Sequence, residues 1–426
     1  MKHVFLGMAT AALTVAVGPS LYGESPDPPA PGWIELERPS LPDTTRAFYP
    51  AALSGDGHIV VGREWFSNTE DGIAVSRAVI WDQGRLSWLP EPQRRATVPS
   101  HALAYAVNYD GSVIAGLASL PNPPRGALNG ACIWYERIPY QPRFESEVSL
   151  LPVFVSDMSR SGNVVVGRAL IDEEQQAAFV ANFGSISLLE PLNGAAGEAT
   201  AVAVSHDGRV VVGYSTNEEG IREAVRWVDG EPESLGVLPW WATASFATDV
   251  NQDGSVIVGR IMAGDLAMHF RWQNGVWEEL EGLDPIGPVD VPYARTIRTN
   301  ADGTVVVGGF NDRAFYWTRK EGMRSLRSAA IQSGVAIPCC TRLLNALDVS
   351  DDGRTVLVRG RGRDLVITLG IPEVTGDANR DGVVDLEDLN LLYQFFGLKD
   401  SDGDLDGDGI VNLSDLNILL EHYGMD

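Results

Sequence analysis

Twelve oxygen-bearing positions near the end of the chain carry the clearest chemistry in the sequence. Two loops place oxygen side chains at positions 1, 3, 5, 9 and 12, with glycine at 6. The first loop uses Asp377, Asn379, Asp381, Asp385 and Asp388, with Gly382 at the turn. The second uses Asp404, Asp406, Asp408, Asn412 and Asp415, with Gly409. Val383 and Ile410 stand at position 7, where only a backbone carbonyl is needed. This is the order a hard divalent cation requires, because alternate residues of a tightly turned loop can point inward together and supply about six to eight oxygens. The spacing therefore predicts two calcium ions. Position 12 is Asp rather than Glu, so its backbone must come closer to the ion.

Each loop is followed by a matching apolar-periodic segment, Leu389–Gly397 and Leu416–Gly424. The two units keep one constant offset from loop to closing glycine: Asp377 answers to Asp404, Asp388 to Asp415 and Gly397 to Gly424. The apolar segments predict helices. The stretch before the first loop, Ile371 to Gly376, carries Pro372 and cannot be helical. A loop followed by a helix, twice, with no entering helix and Asp at position 12, resembles the type I dockerin family over residues 376–426. The resemblance implies a small all-α calcium-binding domain, residues 372–426, that docks on a cohesin-like module or a cell-surface scaffold. Its recognition positions, the tenth and eleventh of each loop, are here Leu386-Glu387 and Leu413-Ser414.

Upstream of this tail the chain is a repeat. Asp-Gly, or Ser-Gly in the third unit, sits between two apolar strands; a strand ending in an aromatic residue and a short Leu strand follow. The marker glycines are Gly57, Gly111, Gly162, Gly208, Gly254, Gly303 and Gly353. They recur roughly every 50 residues, the length of a propeller blade. Asp-Gly supplies the positive φ of a hairpin turn. A repeat of this length with four short strands per complete unit, present seven times, predicts a mainly β, seven-bladed β-propeller over residues 32–371. The seventh unit has three strands, so Trp33-Ile-Glu-Leu36 is expected to pair with Leu365–Leu369 and close the ring. The strands Arg313-Ala-Phe-Tyr-Trp317, Met268-His-Phe-Arg-Trp272 and Glu223-Ala-Val-Arg-Trp227 make the repeat similar to the extracellular HAF repeat family, which implies a fold and an exported location but no reaction.

Composition bounds the rest. Net charge is −25, and from Gly376 onward thirteen acidic residues face only Arg380 and Lys399. No basic footprint for nucleic acid is present. Lys2, the uncharged run Val4–Val17 and the small residues Gly18, Ser20 and Gly23 read as a signal peptide over residues 1–23. The protein is expected to be secreted or held at the cell surface, with no membrane span left after signal removal. Cys132, Cys339 and Cys340 are an odd count, and no structural disulfide is favoured.

No catalytic set is visible: there is no Gly-x-Ser-x-Gly, no His-Glu-x-x-His and no phosphate loop, and His3, His58, His101, His206, His269 and His422 are scattered. The partial calcium-like runs Asp249–Gly254 and Asp348–Gly353 end at Arg260 and Arg359 and are expected to be hairpin turns. The in-register Trp81, Trp134, Trp227, Trp272 and Trp317 are expected to pack blade on blade. Variable loops lie on the face opposite the Asp-Gly turns: 63–77, 117–130, 239–246 and 327–345. They carry Trp65-Phe66 and Trp240-Trp241. The expectation is a non-catalytic propeller delivered by a dockerin. The alternative is a polysaccharide-binding or polysaccharide-degrading propeller, whose two carboxylates would have to converge.

Overall fold

The computed structural model describes residues 30–424 apart from 37–44, 68–73, 83, 93–100, 120–128, 141–150, 172–175, 183–184, 195–196, 237–241, 265, 281–282, 284–295, 339, 371–375, 377, 379–383, 385, 398–402, 404 and 406–409. The expected signal peptide lies outside these residues. The body is a seven-bladed β-propeller of four-stranded antiparallel sheets. Blades 1 to 6 span Thr45–Trp88, Ala102–Tyr140, Leu151–Leu188, Ala199–Ser234, Ala244–Leu280 and Ile297–Ser325, each meandering from the inner strand outward. Inner strands pack on one another in turn, and Leu343–Val349 of blade 7 meets Thr45–Leu53 of blade 1.

Ring closure follows the sequence. Gly32–Glu35 is the outer strand of blade 7, and Trp33 lies opposite Ile367 in antiparallel register. The two ends of the propeller are thus held by one sheet, which removes an open edge. Trp33 adds a bond from its indole nitrogen to the Ala336 carbonyl, 3.1 Å.

Each Asp-Gly turn is built the same way. The residue three before the marker glycine is Ser or Asn in all seven blades, and it is buried. Its side-chain oxygen accepts the N–H of the residue five positions on: Ser54 from Ile59, Asn108 from Val113, Ser205 from Val210, Asn251 from Val256. The turn Asp accepts from the residue after the glycine, as Asp253 does from the N–H and hydroxyl of Ser255 at 2.9 and 2.5 Å. Those bonds hold the Asp253 carboxyl below the usual range. The partial calcium-like runs are therefore turns, with their oxygens already bonded. In blade 3, Ser161 substitutes for the Asp.

The blade tryptophans lie between blades. Trp134 and Trp227 are fully buried; in blade 3 Ala181 stands at the tryptophan's register position, opposite Val165, and Phe179 stands two residues earlier, where blades 5 and 6 carry Phe270 and Phe315. Trp134 donates to Pro90 O at 2.7 Å, Trp227 to Glu190 O at 2.8 Å and Trp272 to Leu235 O at 3.0 Å. Each acceptor lies just past the outer strand of the preceding blade, so packing and polar satisfaction come from one side chain. Cys132 lies in the same core, a buried thiol outside any disulfide. The segment 327–345, expected to be loop, opens with a helix, α1 (Leu326–Gln332). Ser325 caps it by accepting from Ser328 N, and Leu326, Ala329 and Ala330 pack into the core of blades 6 and 7. Two further helices follow near the C-terminus, α2 (Leu386–Phe395) and α3 (Leu413–His422).

Candidate functional site

Of the twelve tail positions, Asp388, Ile410, Asn412 and Asp415 are described; Asp377, Asn379, Asp381, Val383, Asp385, Asp404, Asp406 and Asp408 lie outside the described residues. α2 and α3 begin one turn earlier than the apolar period suggests, because the position-12 Asp sits inside the first helical turn. Asp388 and Asp415 are both fully buried. Asn412 caps α3 and forms a capping box with Asp415: Asp415 Oδ2 accepts Asn412 N at 2.7 Å, and Asn412 Oδ1 accepts Ser414 N at 2.8 Å. Asp415 Oδ1 also accepts Leu405 N at 2.7 Å, which ties the start of the loop to its end.

The duplication is structural as well as sequential. Gly397 N donates to Val411 O at 2.7 Å, and Gly424 N donates to Val384 O at 2.8 Å. Val384, Val411, Leu392 and Leu419 form a core of two equivalent pairs. The outward side repeats too. Leu386 and Leu413, Tyr393 and Leu420, and Phe396 and Tyr423 are all exposed large hydrophobics. Leu386 and Tyr393 stand two turns apart on one face of α2, and Leu413 and Leu420 do the same on α3, while Phe396 and Tyr423 stand just past the helix ends.

In the propeller, the structure brings together a constellation that motif reading misses. The residue five before each marker glycine stands on the inner strand. Around the ring it reads Ala52, Ala106, Asp157, Ala203, Asp249, Arg298 and Asp348. Each Asp reaches forward to the next blade. Asp157 Oδ2 accepts Val204 N at 3.0 Å, Asp249 Oδ2 accepts Thr299 N at 2.8 Å, and Asp348 Oδ2 accepts Leu53 N at 2.8 Å. Interfaces 3/4, 5/6 and 7/1 are stapled this way. Arg298 supplies the balancing charge, 4.0 Å from Asp348 and bonded to Thr248 O at 2.7 Å. Burial raises the Asp157 carboxyl to about 6 and Asp249 to about 7, although Arg298 pulls both down. For Arg298, burial opposes its charge, and Asp249, Asp348 and Asp157 more than offset it.

A second layer lies at the turn end of the channel, two residues before the marker glycines. There a chain of backbone bonds runs from blade to blade, including His206 N to Gln252 O, Gln252 N to Ala301 O, Ala301 N to Asp351 O and Asp351 N to Gly55 O. Arg160 pairs with Asp351 across it and stacks on Tyr109, 3.6 Å from the ring centroid. His206 Nε2 lies 3.6 Å from Asp351 Oδ1. Burial raises Asp351 to about 6, against the pull of Arg160, and lowers His206 to about 4. Carboxylates thus converge at one end of the channel, but Asp157, Asp249 and Asp348 each hold a neighbouring blade, and Asp351 holds Arg160. The repeat alignment to the marker glycine is the sequence signal that could have found them.

On the opposite face, a cleft of about 640 Å³ opens between blades 4 and 5, lined by Asn193, Glu198, Thr216, Arg222, Thr243 and Phe246 among others. It borders the expected variable loop, whose Trp240-Trp241 lie outside the described residues, as do Asp172, Glu173 and Glu174. Glu218 and Glu219 are exposed. Phe66 folds back on its blade, with the Arg77 guanidinium 5.3 Å from its ring. Among the described residues no group of three His, Cys, Asp or Glu could hold a metal, and no helix is long and apolar enough to cross a membrane.

No protein-family model matches the sequence, and no curated protein matches it. Three solved structures that resemble it do so remotely. The β-propeller domain of the Trilobed protease from Pyrococcus furiosus is 11% identical, with a TM-score of 0.49, over 76% of this chain and 93% of that one. TolB from Acinetobacter baumannii is 12% identical, with a TM-score of 0.38, over 63% of this chain and 61% of TolB. A structure from a study of two prolyl endopeptidases is 12% identical, with a TM-score of 0.43, over 66% of this chain and 42% of that one. The alignments thus span less than two thirds of the TolB and endopeptidase chains.

Proposed function

We propose that the C-terminal unit is a calcium-loaded, dockerin-like plug that fastens an exported, non-catalytic propeller to a cohesin-like or surface-scaffold receptor. The observation that carries this reading is the pair of exposed apolar trios, Leu386–Tyr393–Phe396 and Leu413–Leu420–Tyr423. Tyr393 is 82% and Leu413 65% exposed. Large hydrophobic side chains repeated along one helix face and at its end, rather than scattered singly, support a contact site, and the duplicated tail offers the same contact twice.

The residues fit calcium on their chemistry. Asp388 and Asp415 are carboxylates buried beside an apolar core of four side chains. Hard oxygen donors in a loop of this spacing suit a hard cation. Calcium would neutralise these acids and cross-link each loop to its helix; so small a core needs that contribution to fold. Asp377, Asn379, Asp381, Asp385 and Asp388 would hold one ion and Asp404, Asp406, Asp408, Asn412 and Asp415 the other, with the Val383 and Ile410 carbonyls.

The test uses the full chain as bait among exported proteins of the source organism, with calcium or with chelator. A receptor should be captured with calcium only. Single-face variants, L386D/Y393A or L413D/L420A, should retain capture, and the combined variant should lose it. Capture that survives chelator, or persists when both faces are altered, overturns the reading.

A further inference from the structure

The propeller face opposite the Asp-Gly turns carries a feature that docking leaves unused. Six positions after the marker glycine stand Arg63, Arg168, Arg260 and Arg359 in blades 1, 3, 5 and 7. In three of these blades the arginine lies directly opposite an aromatic residue on the inner strand: Tyr49 and Arg63, Phe154 and Arg168, Phe246 and Arg260. The guanidinium carbons lie 5.0, 5.2 and 5.0 Å from the ring centroids. The preceding blade completes each cluster. Arg359 is 6.0 Å from Tyr49, Tyr105 is 4.9 Å from Phe154 and Tyr214 is 5.0 Å from Phe246. Each stack holds ring and cation together in an ordered way.

The third cluster opens into the cleft between blades 4 and 5. Phe246 lines it, and Arg222 projects beside Tyr214, 5.8 Å from its ring. Arg222 Nη2 faces Glu198 Oε2 at 3.5 Å, and both side chains are more than half exposed. Such a pair is loose and readily exchanged for another carboxylate. Thr216 and Thr243 line it with hydroxyls, of which Thr216 Oγ1 accepts Glu198 N at 2.7 Å and Thr243 Oγ1 donates to Met262 O at 3.2 Å, so each offers a ligand a lone pair. The volume is that of a small-molecule site.

We propose that this cleft binds a carboxylate-bearing sugar chain. A sugar ring offers an apolar C–H face for Phe246 and hydroxyls that donate to Thr216 and Thr243, and its carboxylate would take the Glu198 place on Arg222. The cation separates this ligand from a neutral glycan. The hydroxyl partners and a net charge of −25 separate it from nucleic acid, whose duplex presents a charge every ~1.7 Å. The proposal does not rest on the docking reading.

Affinity electrophoresis of the full chain, in gels holding a soluble polyuronate, a neutral glucan or single-stranded DNA, tests it. The polyuronate alone should retard the protein, with or without chelator. Arg222→Gln should weaken retardation about tenfold, the effect of losing one charged hydrogen bond, while its melting temperature stays that of the parent. Glu198→Gln should strengthen retardation by removing the competing acid. No retardation, equal retardation by DNA, or an Arg222→Gln variant that binds like the parent would overturn the proposal.

Discussion

Arg160 of blade 3 pairs with Asp351 of blade 7 across the turn end of the channel, 191 residues apart in the chain. The pair spans the ring rather than one interface, so it ties together blades that share no sheet. Its worth is moderated by solvent, since the side chains are 39% and 21% exposed. Arg160→Met should cost about 1–2 kcal/mol, between an exposed pair and a buried one. A double-mutant cycle with Asp351→Asn in urea unfolding should return a favourable coupling of ~1 kcal/mol.

Asp249 governs a pH dependence. Its folded carboxyl, pushed up by burial to about 7, holds its proton more tightly than in the unfolded chain. Its contribution is complete below the unfolded value of ~4 and is lost as pH rises through about 7. His206 works in the opposite sense, because burial lowers it to about 4 and its contribution is lost as pH falls through that value. Asp249→Asn should therefore raise stability at pH 8 relative to pH 5, compared with the parent, in thermal unfolding scans at the two values. A variant whose parallel scans keep the parent's pH slope would refute the assignment.

Turn glycines are required for two separable reasons. Gly208, a marker glycine, has φ +80°, and a Cβ there would lie 2.5 Å from Val164 Cγ2 of the neighbouring blade. Gly230, in the turn between the outer strands of blade 4, has φ +93° but nothing within 4 Å. Gly230→Ala should cost about 1–2 kcal/mol from the left-handed backbone alone. Gly208→Ala should cost ~1–3 kcal/mol more through overpacking at the blade interface. Chemical denaturation of both variants measures the difference.

Asn412 bears on the helix pair. Asn412→Ala removes the cap and should cost about 1 kcal/mol. Asp415→Ala, which strips the bonds to Leu405 and Asn412 and the proposed metal oxygen, should do more and raise the calcium needed for half-maximal helix formation. Far-ultraviolet circular dichroism against calcium reads both.

The propeller was legible because its repeat is local. Each Asp-Gly turn, valine strand and aromatic strand signals itself within its own unit, and the partner of Asp364–Thr368 could be found at Trp33 because a blade short of one strand needs an outer strand of that kind. α1 was not legible as a helix: it is barely two turns long and follows a strand with only Ser325 to mark the cap, and its burial against blades 6 and 7 stabilises it. In the tail the apolar period begins at Leu389 and Leu416, whereas α2 and α3 start one turn earlier, because Asp388 and Asp415 belong both to the loops and to the first helical turn.

The amino-acid order alone determined how many blades there are, where each turns, which segment closes the ring, and that the tail from Gly376 onward is one pattern written twice. Those features depend on neighbours in the chain, through φ preference and side-chain period. The tertiary structure alone decided that Asp157, Asp249 and Asp348 face Arg298, that Arg160 meets Asp351, and that Phe246 and Arg222 share a cleft. Each of these groupings joins different blades, and only the curvature of a closed ring brings their members within reach of one another.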